Sequence, residues 1–177
     1  MRLAFLLFSI LMLSAPARAA DPVKLAFVDT GNTGRSVTAE ALARAAIEKA
    51  HLSIAVISRA VDQDPYETTP EPNVVTLLSA RGIDVTAHRS AQLTANDARH
   101  SDVILTMTAA HKAKVIALFP DAAAKTFTLA EYAGGPDVED AFGKPMPAYQ
   151  AMLKQVEAYL APALARAART SKPANMP

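Results

Sequence analysis

Lys24-Leu25-Ala26-Phe27-Val28-Asp29-Thr30-Gly31-Asn32-Thr33-Gly34-Arg35-Ser36 is the stretch whose reading decides the fold. A short apolar run ends at Asp29, a loop of Thr, Gly and Asn follows, and Arg35-Ser36 opens an Ala-rich helical pattern. Strand, small-residue loop and helix start, in that order, spell an anion-binding turn. Two glycines let the chain turn tightly and aim successive amide N–H groups inward. The helix adds its positive end, and Arg35 supplies a planar fork matching two oxygens of an oxyanion. Asp29 is the anomaly, because a carboxylate at the mouth of an anion cradle is either chemistry or a block.

Outward from this stretch, β-rich and helical segments alternate. Apolar runs at 24–29, 53–58, 102–106 and 125–129 read as strands, and 3.6-residue periodicity marks helices over 37–50, 71–81, 109–119 and 147–166. Residues 83–87 read as a short extended piece, and Thr94 as the N-cap of a turn leading to His100. Strands separated by helices imply an α/β fold: a doubly wound three-layer sandwich with a four-stranded parallel sheet. Its ligands bind beyond the carboxyl ends of the strands, where 29–35 falls.

The bounds agree. A chain of 177 residues, 51% hydrophobic and 20% charged, suits one domain with a sizeable core. The first nineteen residues differ in kind. Arg2 precedes the apolar run Leu3 to Leu13, and Ala17 and Ala19 stand at the −3 and −1 positions of a cut after Ala19. We read 1–19 as a signal peptide, 20–166 as the folded domain and 167–177 as a flexible tail. The apolar run is too short to span a bilayer, which takes about 20 helical residues, so no membrane attachment is expected after cleavage. Losing Arg2 and Arg18 leaves 16 basic side chains against 17 acidic ones, a net charge of −1, and implies no nucleic-acid partner. A periplasmic or secreted location follows. Cys is absent, which excludes disulfides, thiolate metal sites and thiol catalysis.

The run Asp29 to Ser36 resembles the signature of the low-molecular-weight protein tyrosine phosphatases and related arsenate reductases: Cys, five residues, Arg, then Ser or Thr. Further stretches fall in that family's order: Ala39-Glu40-Ala41, His88-Arg89-Ser90, Asp102-Val103-Ile104-Leu105, Phe119-Pro120 and Asp137-Val138-Glu139-Asp140-Ala141-Phe142-Gly143. The resemblance implies that Thr30, Gly31, Asn32, Thr33, Gly34, Arg35 and Ser36 form the phosphate-binding loop. It also implies that Ser36 hydrogen-bonds the group at position 29 and that Asp140 is the general acid. The nucleophile does not carry over, for Asp29 stands where the family has Cys. Gly34 takes the place of a second Cys found in many members, and Ala141 that of the Pro after the acid. No metal and no cofactor are implied.

Three readings of Asp29 remain open at this stage. It is the nucleophile or base of a phosphomonoester hydrolase working with Arg35 and Asp140. Alternatively, it silences the site and leaves a pseudophosphatase that binds a neutral, cationic or protein partner. Or the loop holds an oxyanion with Asp29 protonated or bridged by a cation. A carboxylate is a weaker nucleophile than a thiolate, and aspartyl-phosphate enzymes hold Mg²⁺ with a second Asp two residues on, where this chain has Gly31. His51, His88, His100 and His111 lack metal-ligand spacing and read as structural, Asp137 as a loop cap, and Arg89 as a structural pairing residue. The acidic run 62–71 reads as solvated surface, while Tyr66 and Phe142 are candidates for the rim of a cleft.

Overall fold

The computed structural model describes residues 21–170; the signal peptide expected over 1–19 and the end of the expected tail lie outside them. Four strands form one parallel sheet in the order β2-β1-β3-β4. They are β1 (Val23–Asp29), β2 (Ile54–Ala60), β3 (Val103–Thr106) and β4 (Thr126–Thr128). β1 is central, its Leu25 facing Val56 of β2 and Val103 of β3. Being covered on both sides, it buries nearly every residue, the pattern expected of a parallel strand under two helical layers.

Alternation along β1 divides the core. Leu25 and Phe27 join the larger cluster, built with α1 (Arg35–Ala50) and α6 (Met146–Ala168), whereas Ala26 and Val28 join the smaller cluster with Ile104, Leu93 and Val115. Val115 belongs to α4 (Ala109–Leu118), and Ala98 of the same cluster to α3 (Ala95–His100). The larger side is completed by α2 (Pro72–Ser79) and α5 (Leu129–Ala133). Among the described residues no helix is long and apolar enough to cross a membrane.

Most expected elements stand within a residue or two of their place. Thr94 caps α3 through a reciprocal capping box with Asp97. Residues 83–87 are not a strand, and 125–129 divides differently: a 3₁₀ turn over Pro120–Lys125, a strand of three residues, then α5 capped by a second box between Thr128 and Glu131. The last helix runs on to Ala168, two residues into the segment expected to be tail.

Candidate active site

The loop from Asp29 to Ser36 leaves the carboxyl end of β1 and enters α1 directly. Its left-handed residue is Asn32, at φ 58°, and neither Gly31 nor Gly34 has a positive φ, so the turn expected of the glycines falls on asparagine. Asn tolerates this region because its short polar side chain bonds locally. Here Asn32 Nδ2 donates to Ser36 Oγ at 2.9 Å, and Asn32 Oδ1 accepts from Ala91 N at 3.1 Å. The family-like run around His88 braces the same loop: Ser90 Oγ donates to Gly31 O at 2.5 Å, and His88 Nε2 lies 3.1 Å from Asn32 O. Arg89 turns away, its guanidinium on the carbonyls of Thr86 and His88, in keeping with a structural role.

Asp29 is buried, and both its oxygens are engaged. Oδ1 accepts from Asn32 N at 2.6 Å and Oδ2 from Ser36 N at 2.9 Å. Ser36 therefore bonds the residue at position 29, as expected, and does so through its backbone N–H, while its hydroxyl accepts from Asn32. Helix α1 has no side-chain cap at its own N-cap residue, Gly34. Asp29, from the strand before it, takes over that function: a carboxylate at a helix N-terminus satisfies an orphan N–H and sits favourably on the positive dipole end.

Arg35 does not reach Asp29 in a hydrogen bond. Its Nη2 pairs with Asp140 Oδ2 at 2.9 Å and its Nη1 donates to Val138 O at 3.4 Å. The fold thus brings loop arginine and distant aspartate together as the resemblance implied. Asp140 is more than half exposed, and its backbone neighbour Phe142 N donates to its other oxygen. Asp137 is a cap as expected, its Oδ2 accepting from Ala109 N at the start of α4.

Two residues beside the loop were read from the sequence only as solvated surface and as a structural histidine. Glu71, at the N-cap of α2, brings its carboxylate against Gly34: a Cβ placed on that glycine would collide with Glu71 Oε1. The Tyr149 hydroxyl of α6 donates to Glu71 Oε2. Burial pushes the Glu71 carboxyl above its ordinary value, and the Tyr149 hydroxyl offsets this only in part. Asp140 and Asp29 push the same way as burial, and Arg35 opposes them. The Tyr149 phenol is itself pushed up to about 12 by burial and by its carboxylate partner. Gly34 is small because Glu71 occupies the space beside it.

The second is His111, whose Nε2 lies 2.8 Å from Thr30 Oγ1. Burial first, then the charge of Arg35, holds its imidazole below the ordinary value against three nearby aspartates, so it is neutral at pH 7. The only sign of either residue in the sequence was its type, since loop and partner lie far apart along the chain.

Asp29, Arg35, Glu71 and Asp140 line a cleft of 610 Å³ whose floor is the loop and whose wall is the acidic segment after β2, with Tyr149 and His111 behind its lining. That segment is not merely solvated surface, for Asp62, Asp64, Glu67 and Glu71 all face the cleft, as do Tyr66 and Phe142. Among the described residues no cluster of His, Asp and Glu has the arrangement of a metal site.

Over residues 24–172 the sequence matches the family described as low molecular weight phosphotyrosine protein phosphatase. The chain belongs to that family. It is 33% identical over 138 residues to the protein-arginine-phosphatase of Geobacillus stearothermophilus, covering 77% of this chain and 90% of that one. To the protein-arginine-phosphatase of Bacillus subtilis it is 35% identical over 136 residues, covering 76% and 89%. The fold superposes on a mutant of YwlE from Bacillus subtilis with a TM-score of 0.77 at 33% identity, covering 81% of this chain and 97% of that one. It matches equally a cysteine-to-serine mutant of the YwlE arginine phosphatase whose active-site serine is phosphorylated, with a TM-score of 0.76 at 33% identity, covering 80% and 93%. The family's fold is here, in a chain that has no cysteine.

Proposed function

We propose that this protein is an exported pseudophosphatase, a member of the phosphatase family that has lost hydrolysis and uses its cleft to bind. The observation that carries this reading is the double amide contact of Asp29, from Asn32 N and Ser36 N. A carboxylate so held is a fixed cap of α1 and of the loop, and it leaves a negative charge at the floor of the cleft. Glu71 and Asp140 add to it, with Arg35 the only cation lining the site among the described residues. Two unit charges 4 Å apart at an effective dielectric near 20 repel by about 4 kcal/mol, roughly a thousandfold in affinity, so a phosphomonoester dianion is strongly disfavoured. The leader over 1–19 supports work in the periplasm or outside the cell, where a reactive thiolate is open to oxidation and a Cys-free cleft is durable.

The phosphorylated serine in the YwlE mutant favours a second reading, since an oxygen nucleophile in that relative accepts phosphorus. On that reading Asp29 attacks, Arg35 holds the equatorial oxygens and Asp140 protonates the leaving group. Turnover of an aryl phosphate and of phosphoarginine, with and without Mg²⁺, separates the two. Rates at background support the silent reading, and turnover that is abolished in Arg35→Ala overturns it.

A further inference from the structure

Among the described residues six carboxylates line the cleft and only one cation does. Three of the six are already engaged: Asp29 by amides, Asp140 by Arg35, and Asp62 by Lys114 at 2.8 Å. Asp64, Glu67 and Glu71 make no ion pair among the described residues. A site that repels phosphate by this excess attracts an organic cation by the same Coulomb term.

A second observation is independent of charge. Tyr66 is 93% exposed and Phe142 56%, and both rings line the same cleft. Large aromatics left in water at the mouth of a pocket are binding surface in search of a flat or cationic partner. Aromatic faces and carboxylates together select a guanidinium, which stacks on a ring while its N–H fork meets oxygen; a compact ammonium does only the second well. A metal ion fits poorly, because the carboxylates are spread over the cleft and no cluster of them has ligating geometry among the described residues. The volume suits a side chain with a short stretch of backbone.

We propose that the cleft seats an arginine side chain of a basic peptide, its guanidinium between the Tyr66 and Phe142 rings and directed to Glu71. This rests on the cleft being a binding site, and it names the ligand that site takes. Glu71 is the deep acceptor: it is half-buried against Gly34, anchored by Tyr149, and free of any cationic partner among the described residues. Asp64 and Glu67, both exposed on the wall, draw in the flanking basic residues of the peptide and account for a salt-dependent on-rate.

Calorimetry tests it with three blocked peptides, tri-arginine, tri-lysine and tri-glutamate, and with acetyl-phosphotyrosine amide, at about 50 mM salt. Tri-arginine is expected to bind, about fivefold or more tighter than tri-lysine, and tri-glutamate and the phosphotyrosine not at all. Tyr66→Ala, at a position too exposed to disturb folding, weakens tri-arginine about two- to fivefold, and Glu71→Gln about tenfold. Asp84→Asn, at an exposed carboxylate outside the cleft, leaves it unchanged. Absence of tri-arginine binding overturns the proposal. So do an affinity unmoved by both cleft variants, an Asp84→Asn loss as large as theirs, or tighter binding of the phosphotyrosine. The readouts are separate: turnover lost in Arg35→Ala defeats the silent reading whatever the peptides do, and failure of tri-arginine to bind defeats the ligand whatever the turnover.

Discussion

Replacing Asp29 by Ala separates a capping carboxylate from a strained catalytic one. The substitution orphans two N–H groups, those of Asn32 and Ser36, at the buried start of α1. A hydrogen bond to a charged acceptor contributes about 1.5–3 kcal/mol, so the gross loss is roughly 3–6 kcal/mol. Against it stands relief of like-charge repulsion, because Asp29 pushes on the Glu71 carboxyl, as Asp140 does. Unit charges about 8 Å apart at an effective dielectric of 20 repel by roughly 2 kcal/mol. The balance is a net destabilisation of about 1–4 kcal/mol. For a domain of this size that lowers the melting temperature by roughly 2–4 °C per kcal/mol. Urea unfolding followed by far-UV circular dichroism measures it, with an unchanged m-value showing that the denatured state is the same. Asp29→Asn, which retains one acceptor, falls between the two. A variant as stable as the parent, or more so, would refute the capping argument. Repulsion would then outweigh the amides, and Asp29 would have the profile of a residue kept for chemistry at the expense of stability.

Other outcomes follow from the same geometry. Asp29→Cys restores a thiolate under the loop amides and beside Arg35, so vanadate-sensitive hydrolysis of aryl phosphate is expected to appear in it and to vanish in the Arg35→Ala double variant. Continued silence would mean that Asp140, tied to Arg35, no longer serves as the acid. The carboxyl of Glu71 is raised on folding, so its contribution to stability is fully present below its ordinary value of 4.5 and is lost as pH rises through the raised value. Unfolding curves of Glu71→Gln should therefore lack the decline that the parent shows on the alkaline side of pH 4.5, and parallel pH profiles would contradict the assignment. Ultraviolet titration should find one tyrosinate forming only near pH 12, that of Tyr149, and forming earlier in Glu71→Gln. Gly34→Ala should push the Glu71 carboxylate off its seat beside the loop, weakening tri-arginine binding and lowering stability by about 1 kcal/mol, read in the same calorimetric and urea experiments.

Much of this molecule is legible one stretch at a time. The strand-loop-helix over 24–36, the alternation that makes a parallel sheet and the Thr94 cap each depend on residues a few positions apart, and each stands where the sequence puts it. Thr128-Leu129-Ala130-Glu131 carried the signal of a second capping box, hidden because the apolar run before it read as a longer strand. Asp140 beside Arg35 was legible only through family resemblance, since 105 residues separate them.

The sequence by itself determined the fold, the loop and the absence of a thiol, because periodicity, turn chemistry and composition are local properties of a chain. Only the tertiary structure decided what Asp29 does and what surrounds it. Its oxygens meet amides three and seven residues on, a distance set by how the loop closes onto α1. Glu71 reaches Gly34 because α2 starts beside the loop, and Tyr149 holds it there from α6. Charge excess and aromatic rim belong to the cleft as a whole: the residues that make them are scattered from Asp29 to Phe142, and packing alone turns them toward one space.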